Sequence, residues 1–169
     1  MAEHTEPVEL GPLDRRSFHQ MTPEQMMVVV ANATTTVFTR LRRDGHPVSA
    51  VVGSEVMDGE IYTCSNVFRI AYRNVVRDPR CCVAFDIPYV ASVSVIGRAE
   101  IIDDLAMVRR FFDAHAPKAP LVVNDGLNVE DYIAVSFTPN RRLFRIIPET
   151  MFGSDMRTLL RDASRTVGG

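Results

Sequence analysis

Four arginines lie close together in the stretch Arg69-Ile70-Ala71-Tyr72-Arg73-Asn74-Val75-Val76-Arg77-Asp78-Pro79-Arg80. A guanidinium offers five N–H donors in a planar fork that matches phosphate and carboxylate oxygens. Arg69, Arg73 and Arg77 recur every fourth residue, so a helix over them would stack all three on one face. The N–H groups of its first turn would add to the attraction for an anion. Just upstream, Thr63 and Ser65 flank Cys64 and bring hydroxyl donors. Such a constellation can hold the anionic end of a ligand. From composition alone, a solvated basic helix face is the other reading of the same arginines.

No nucleophile elbow, glycine-rich phosphate loop or dinucleotide fingerprint occurs in the chain. The adjacent Asp103 and Asp104 read as a helix cap, not as an acid–base pair. His4, His19, His46 and His115 are scattered without metal-ligand spacing. If the protein does chemistry, a cofactor must carry it while the protein orients it.

The elements that would position these residues are mostly strands. Residues 34–42 alternate, with Val37, Thr39 and Leu41 on one face and Phe38, Arg40 and Arg42 on the other. Asp44-Gly45 predicts a hairpin into a second strand over residues 48–57. Gly53, in the middle of that strand, predicts a bulge or the close approach of another backbone or ring. Asp58-Gly59 turns the chain into a third strand over residues 60–65, whose end carries Thr63, Cys64 and Ser65. Residues 69–77 read as a short helix stopped by Asp78-Pro79. Strands follow over residues 80–86 and 91–102, the latter interrupted by Gly97. Two more are expected over residues 132–138 and 142–147, joined at Pro139-Asn140.

Helices flank this pattern. Thr22-Pro23-Glu24-Gln25 combines a cap, a first-turn proline and a capping-box partner, and predicts a helix to about Asn32. Asp103 or Asp104 starts another to about His115, with Leu105, Val108, Phe111 and Phe112 as its apolar stripe. Residues 116–128 read as irregular, and residues 155–165 as a basic helix. Six or more closely spaced antiparallel strands with glycine breaks predict a mainly β fold, a small barrel with flanking helices.

Composition bounds the partners. The net charge of −2 argues against general affinity for nucleic acid or an anionic membrane surface. Charged residues interrupt every apolar run before it reaches the length of a membrane span. Residues 1–15 read as a disordered tail and residues 16–169 as one domain. The polar first twenty residues do not resemble a secretory signal. Cys64, Cys81 and Cys82 are odd in number, and the adjacent pair would point to opposite faces of a strand. A reducing cytoplasm is the expectation.

The ordered set Arg42-x-Asp44-Gly45-x-Pro47, Arg73-Asn74-x-x-Arg77-Asp78-Pro79-Arg80 and Gly97-Arg98-Ala99-Glu100 resembles the pyridoxamine-phosphate oxidase-like superfamily. Within it, the chain is similar to the flavin and deazaflavin oxidoreductases, and the match spans residues 38–103. The resemblance implies an antiparallel split β-barrel of the FMN-binding type with six or more strands. It implies a homodimer with cofactor sites between the subunits, bound FMN or the deazaflavin coenzyme F-420, and hydride transfer to or from a small organic substrate. Arg69, Arg73 and Asn74 then fall at the cofactor's phosphate or tail. Thr63, Cys64 and Ser65 fall on the strand end lining the same site, and Val51 on the strand bordering the ring. No side chain is implied as a catalytic acid or base. The family often has lysine where this chain has Ala71, and serine where it has Cys64. A non-catalytic split-barrel module binding flavin, haem or another planar ligand is the alternative, and a ligand-free structural dimer is a third reading.

Overall fold

The computed structural model describes residues 21–33 and 35–157. Helix α1 (Pro23–Asn32) leads into strands β1 (Thr35–Leu41), β2 (Pro47–Val51), β3 (Ser54–Met57) and β4 (Glu60–Asn66). Helix α2 (Ile70–Arg77), strands β5 (Arg80–Ile87) and β6 (Ala91–Ile102) and helix α3 (Leu105–His115) follow. The short helices α4 (Pro120–Val123) and α5 (Val129–Ser136) precede the long strand β7 (Arg141–Asp155). The seven strands form an antiparallel sheet in the order β2-β1-β5-β6-β7-β4-β3.

That order curls the sheet. Strands β2 and β3 are consecutive in the chain yet occupy opposite edges, with only Val52 and Gly53 between them. Two residues cannot span an open sheet, so the edges must meet there. They do: the Val52 N–H donates to the Thr36 carbonyl at 3.0 Å, and the Thr36 and Ser54 hydroxyls are 2.5 Å apart. The expected strand over residues 48–57 is therefore two strands. Beyond Thr63, β4 has no β3 neighbour, because the chain has crossed to the other edge; its last pair there is Ser54 with Thr63. Residues 64–66 keep only their β7 partners on the opposite side. The barrel is split at that gap.

Two apolar cores lie on the two faces of the sheet. Met26, Val29 and Val30 of α1 pack with Phe38, Val83, Phe85, Val93, Val95 and Phe144 inside the curl. Val108, Phe111 and Phe112 of α3 and Ile133 of α5 pack with Met57, Tyr62 and Leu143. Strands β4 and β7 contribute to both cores and so separate them. The capping box of α1 forms as its sequence predicts: Gln25 N donates to Thr22 Oγ1 and Thr22 N to Gln25 Oε1. Asp104 caps α3 through the Ala106 N–H at 2.8 Å. Leu105 does not join the apolar stripe of α3, because at the first turn it is 41% exposed.

Further expectations are corrected by the structure. The strand expected over residues 132–138 is helix α5, which begins earlier, at Val129. Asn128 accepts the Glu130 N–H at 2.8 Å, and Glu130 and Asp131 occupy the positive first turn. This local start outweighs the strand preference of Tyr132, Ile133 and Val135. The strand expected to end at Ile147 instead runs through Pro148 to Asp155. A bulge makes this possible: Ile96 pairs with Thr150 but Gly97 with Pro148, leaving Glu149 extra. A proline is tolerated in a strand at such a break. Residues 116–128, expected to be irregular, contain a 3-10 turn (Ala116–Lys118) and helix α4. Of the basic helix expected over residues 155–165, Asp155 closes β7, and residues from 158 onward lie outside the described part. So does the tail over residues 1–15.

Candidate functional site

The split end of the barrel holds a cavity of about 340 Å³, within the range of small-molecule sites. One wall is the end of β2 and the crossing that follows it, residues 50–53, and another is the open β4 edge at Cys64, Ser65 and Asn66. Arg69, Ile70 and Ala71 at the start of α2 form its rim. Phe38 and Phe144 reach it from one core, and Phe111, Phe112, His115 and Tyr132 from the other. Arg40, Ser136 and Arg141 complete the lining, which among the described residues contains no carboxylate.

The expected site residues divide between two clefts. Val51, Cys64, Ser65 and Arg69 line this cavity. Arg73 and Asn74 line a second, more open cleft of about 780 Å³ together with Arg42, Arg43, Asp44, Val48 and Arg77, where Asp44 is paired with Arg42 at 3.0 Å. Ile70 belongs to both, so the clefts adjoin across it. Thr63 lines neither. It is fully buried, and its hydroxyl donates to the Gly53 carbonyl at 2.8 Å, fixing the crossing segment against β4.

The arginine run does not act as one face. Arg69 is the N-cap of α2, its backbone extended and not helical. Arg77 donates to the Leu41 carbonyl at 2.5 Å and to Asn74 Oδ1 at 3.0 Å, tying α2 to the β1–β2 hairpin. Arg80 is paired with Asp78 at 2.7 Å. Asp78 is held down to about 2, chiefly by its hydrogen bond from Arg80. Among the described residues, Arg69 and Arg73 make no ion pair, and both are exposed.

Several lining residues were not among those singled out in the sequence. Arg40 follows Phe38 on the inward face of β1 and is only 5% exposed. Burial lowers its affinity for its proton. Its signal was present: strand alternation places a charge on the same face as a core phenylalanine. Arg141 donates to the Ser136 carbonyl at 2.9 Å and lies 5.5 Å from the Phe112 ring centre. His115 carried a signal through Gly53. A Cβ added to Gly53 would stand 2.5 Å from His115 Nε2, so the ring whose approach that glycine predicts is this imidazole.

His115 Nδ1 lies 3.0 Å from Glu55 Oε1, and Lys118 Nζ reaches Glu55 Oε2 at 2.5 Å. Glu55 is buried; desolvation pushes its carboxyl up, but hydrogen bonds and charge from His115 and Lys118 together hold it below its ordinary value. The Glu55 contact leaves Nε2 as the imidazole nitrogen nearest the Gly53 backbone at the cavity wall. Burial pushes the Cys64 thiol up, so it is no ready nucleophile. Among the described residues no cluster of three metal-ligating side chains occurs, and no helix is long and apolar enough to cross a membrane. The first cavity suits a planar ligand bearing negative charge: it has aromatic walls, guanidinium donors and, among the described residues, no carboxylate in its lining.

Comparison with known proteins bears on that geometry. The pyridoxamine 5′-phosphate oxidase family model matches residues 22–153. No curated protein matches the chain. Among solved structures, a conserved hypothetical protein of Mycobacterium tuberculosis superposes with a TM-score of 0.71 at 21% identity, covering 87% of this chain and 92% of that one. A FAD-binding protein of Mesorhizobium loti gives 0.57 at 18% identity, covering 80% and 96% respectively. An F-420 reductase gives 0.50 at 18% identity, covering 73% and 91%. At such identities the likeness is one of fold, whereas the family match spans most of the chain. The chain belongs to the pyridoxamine 5′-phosphate oxidase family and has its split β-barrel fold.

Proposed function

We propose that the protein is an oxidoreductase that binds a flavin-type coenzyme, FMN or the deazaflavin F-420, in the cavity at the barrel split. The coenzyme would supply hydride transfer to or from a small organic substrate. The observation that carries this reading is the lining itself: aromatic side chains and guanidiniums around 340 Å³ without a carboxylate. Family membership and the FAD-binding and F-420 reductase neighbours support it. The residues fit such a ligand. The backbone of residues 51–53 borders the ring, and the hydroxyl of Ser65 faces it from the open β4 edge. Arg69 and Arg73, on either side of Ile70, hold the anionic tail across both clefts. His115, its Nδ1 oriented by Glu55, can hold or deliver a proton at Nε2 beside the cavity.

The outer face of the sheet supports a homodimer. Val51, Val37, Ala84, Ser94 and Phe152 are register neighbours across β2, β1, β5, β6 and β7. Ser49, Thr39, Cys82, Ile96 and Thr150 form the next row. Neither row contains a charge, and Val51, Ile96 and Phe152 are 75%, 42% and 55% exposed. This uncharged two-row band, bounded on the same face by Asp86 on one side and by Arg80 and Arg98 on the other, suits an association surface. Val51 belongs to both this face and the cavity lining, so a second copy seated on the face would border the coenzyme. We place the protein in the cytoplasm, a reading supported by its three free cysteines.

Titration with FMN and with F-420, followed by absorbance and fluorescence, tests the site. Arg69→Ala and Arg73→Ala are each expected to weaken binding roughly tenfold or more while leaving thermal unfolding unchanged, since each removes a charge-assisted contact. Unchanged affinity in both variants would reject the assignment.

A further inference from the structure

We infer that the inner wall of the cavity is an oxyanion subsite built on Arg40, so that the organic molecule seated against it carries a carboxylate or phosphate group. The inference rests on reading the cavity as a ligand site but not on which coenzyme occupies it. Arg40 is only 5% exposed, yet it has no carboxylate partner among the described residues. Its Nη1 donates to the Phe38 carbonyl at 3.2 Å, and its charge lies 5.6 Å from the Phe38 ring centre. Its Nε is buried with no partner at all. The other such atom among the described residues, Asn74 Nδ2, is also an N–H donor and belongs to a residue lining the adjoining cleft.

A buried guanidinium without a counter-charge is unfavourable unless something answers it. The planar fork fits two oxygens of a carboxylate or phosphate better than any neutral acceptor. Arg141 adds a second positive charge to the same lining, anchored by the Ser136 carbonyl with its guanidinium over Phe112. Arg69 and Arg73 are exposed near the rim and serve the coenzyme's tail; Arg40 is buried in the wall. The cavity thus recognises a second anionic group, and the substrate class it favours is a small planar acid or phosphate ester.

The test needs no flavin. Thermal unfolding and calorimetric binding of the full-length protein are measured with sodium benzoate and with inorganic phosphate, against sodium chloride at matched ionic strength. Wild type is expected to unfold at higher temperature with one of these anions. A response to benzoate identifies a carboxylate site, and a response to phosphate a phosphate-ester site. Arg40→Met is expected to lose that response and, without anion, to be as stable as wild type or more so. Arg40→Lys, which keeps the charge but not the fork, is expected to bind the anion roughly tenfold more weakly. It also preserves the test if Arg40→Met does not fold. An equal anion response in wild type and Arg40→Met, or no anion-specific response in wild type, overturns the subsite. Loss of flavin binding in Arg40→Met from a wild type that ignores both probes also overturns it, because Arg40 would then serve the coenzyme. Failure of the coenzyme reading appears separately, in the flavin titration.

Discussion

Arginine density and arginine availability are different properties of this chain. Within the basic run, Arg77 and Arg80 are committed to the Leu41 carbonyl and to Asp78, whereas Arg69 and Arg73 have no ion pair among the described residues. The cation held most deeply, Arg40, comes instead from a strand that reads as ordinary alternation. Glu55 shows the converse, a buried carboxylate fully engaged by His115 and Lys118. Its pKa lies below the ordinary 4.5, so the folded state binds that proton less readily than the unfolded chain. The stability it contributes is present above pH 4.5 and is lost as pH falls through the lower folded value. Glu55→Gln is therefore expected to cost about 1–3 kcal/mol at pH 7. In urea unfolding at a series of pH values, the gap from wild type should narrow as the medium is acidified below that point. A gap that widened instead would show that the carboxylate is not stabilised by these partners.

At the scale of elements, two glycines set the shape. Gly53 lets the chain cross between sheet edges beneath His115, and Gly97 allows β7 to pass at the bulge. A Cβ at Gly97 would stand 2.0 Å from the Ile147 carbonyl oxygen, a backbone atom that cannot swing aside. Gly97→Ala is expected to destabilise by about 1–3 kcal/mol or more in chemical denaturation. Thr22→Ala, which removes only the α1 cap, should cost about 1 kcal/mol. The hairpins, α1, α2, α3 and β6 were legible because capping residues, turn dipeptides and strict alternation act over a few neighbours. Helix α5 was misread because Tyr132, Ile133 and Val135 suit a strand, while the Asn128 cap decides otherwise. The continuation of β7 through Pro148 was hidden because its permission lies in Gly97, far away in the chain.

At the scale of the molecule, the uncharged two-row band of the outer sheet face carries the prediction of assembly. Phe152→Asp and Ile96→Arg each place a charge in that face without entering either core. Sedimentation equilibrium is expected to show a dimer for wild type and a shift toward monomer for each variant. A monomeric wild type would remove the partner from the site. Coenzyme affinity should fall in the same variants if the partner borders the cavity, whereas a face unrelated to the site would leave it unchanged.

The order of residue types along the chain determined the mainly β architecture, the caps and turns, and the family pattern with its exposed arginines. Those are consequences of short-range chemistry: side-chain hydrogen bonds to nearby backbone, the two-residue period of a strand, and the backbone freedom of glycine in a turn. Which arginines lack an ion pair among the described residues, which cleft each faces, and that Arg40 is buried with no carboxylate among them opposite it were decided only by folding. Those facts depend on the sheet curling until its first and last edges meet. That closure brings residues more than a hundred positions apart, such as Arg40 and Arg141, into one lining.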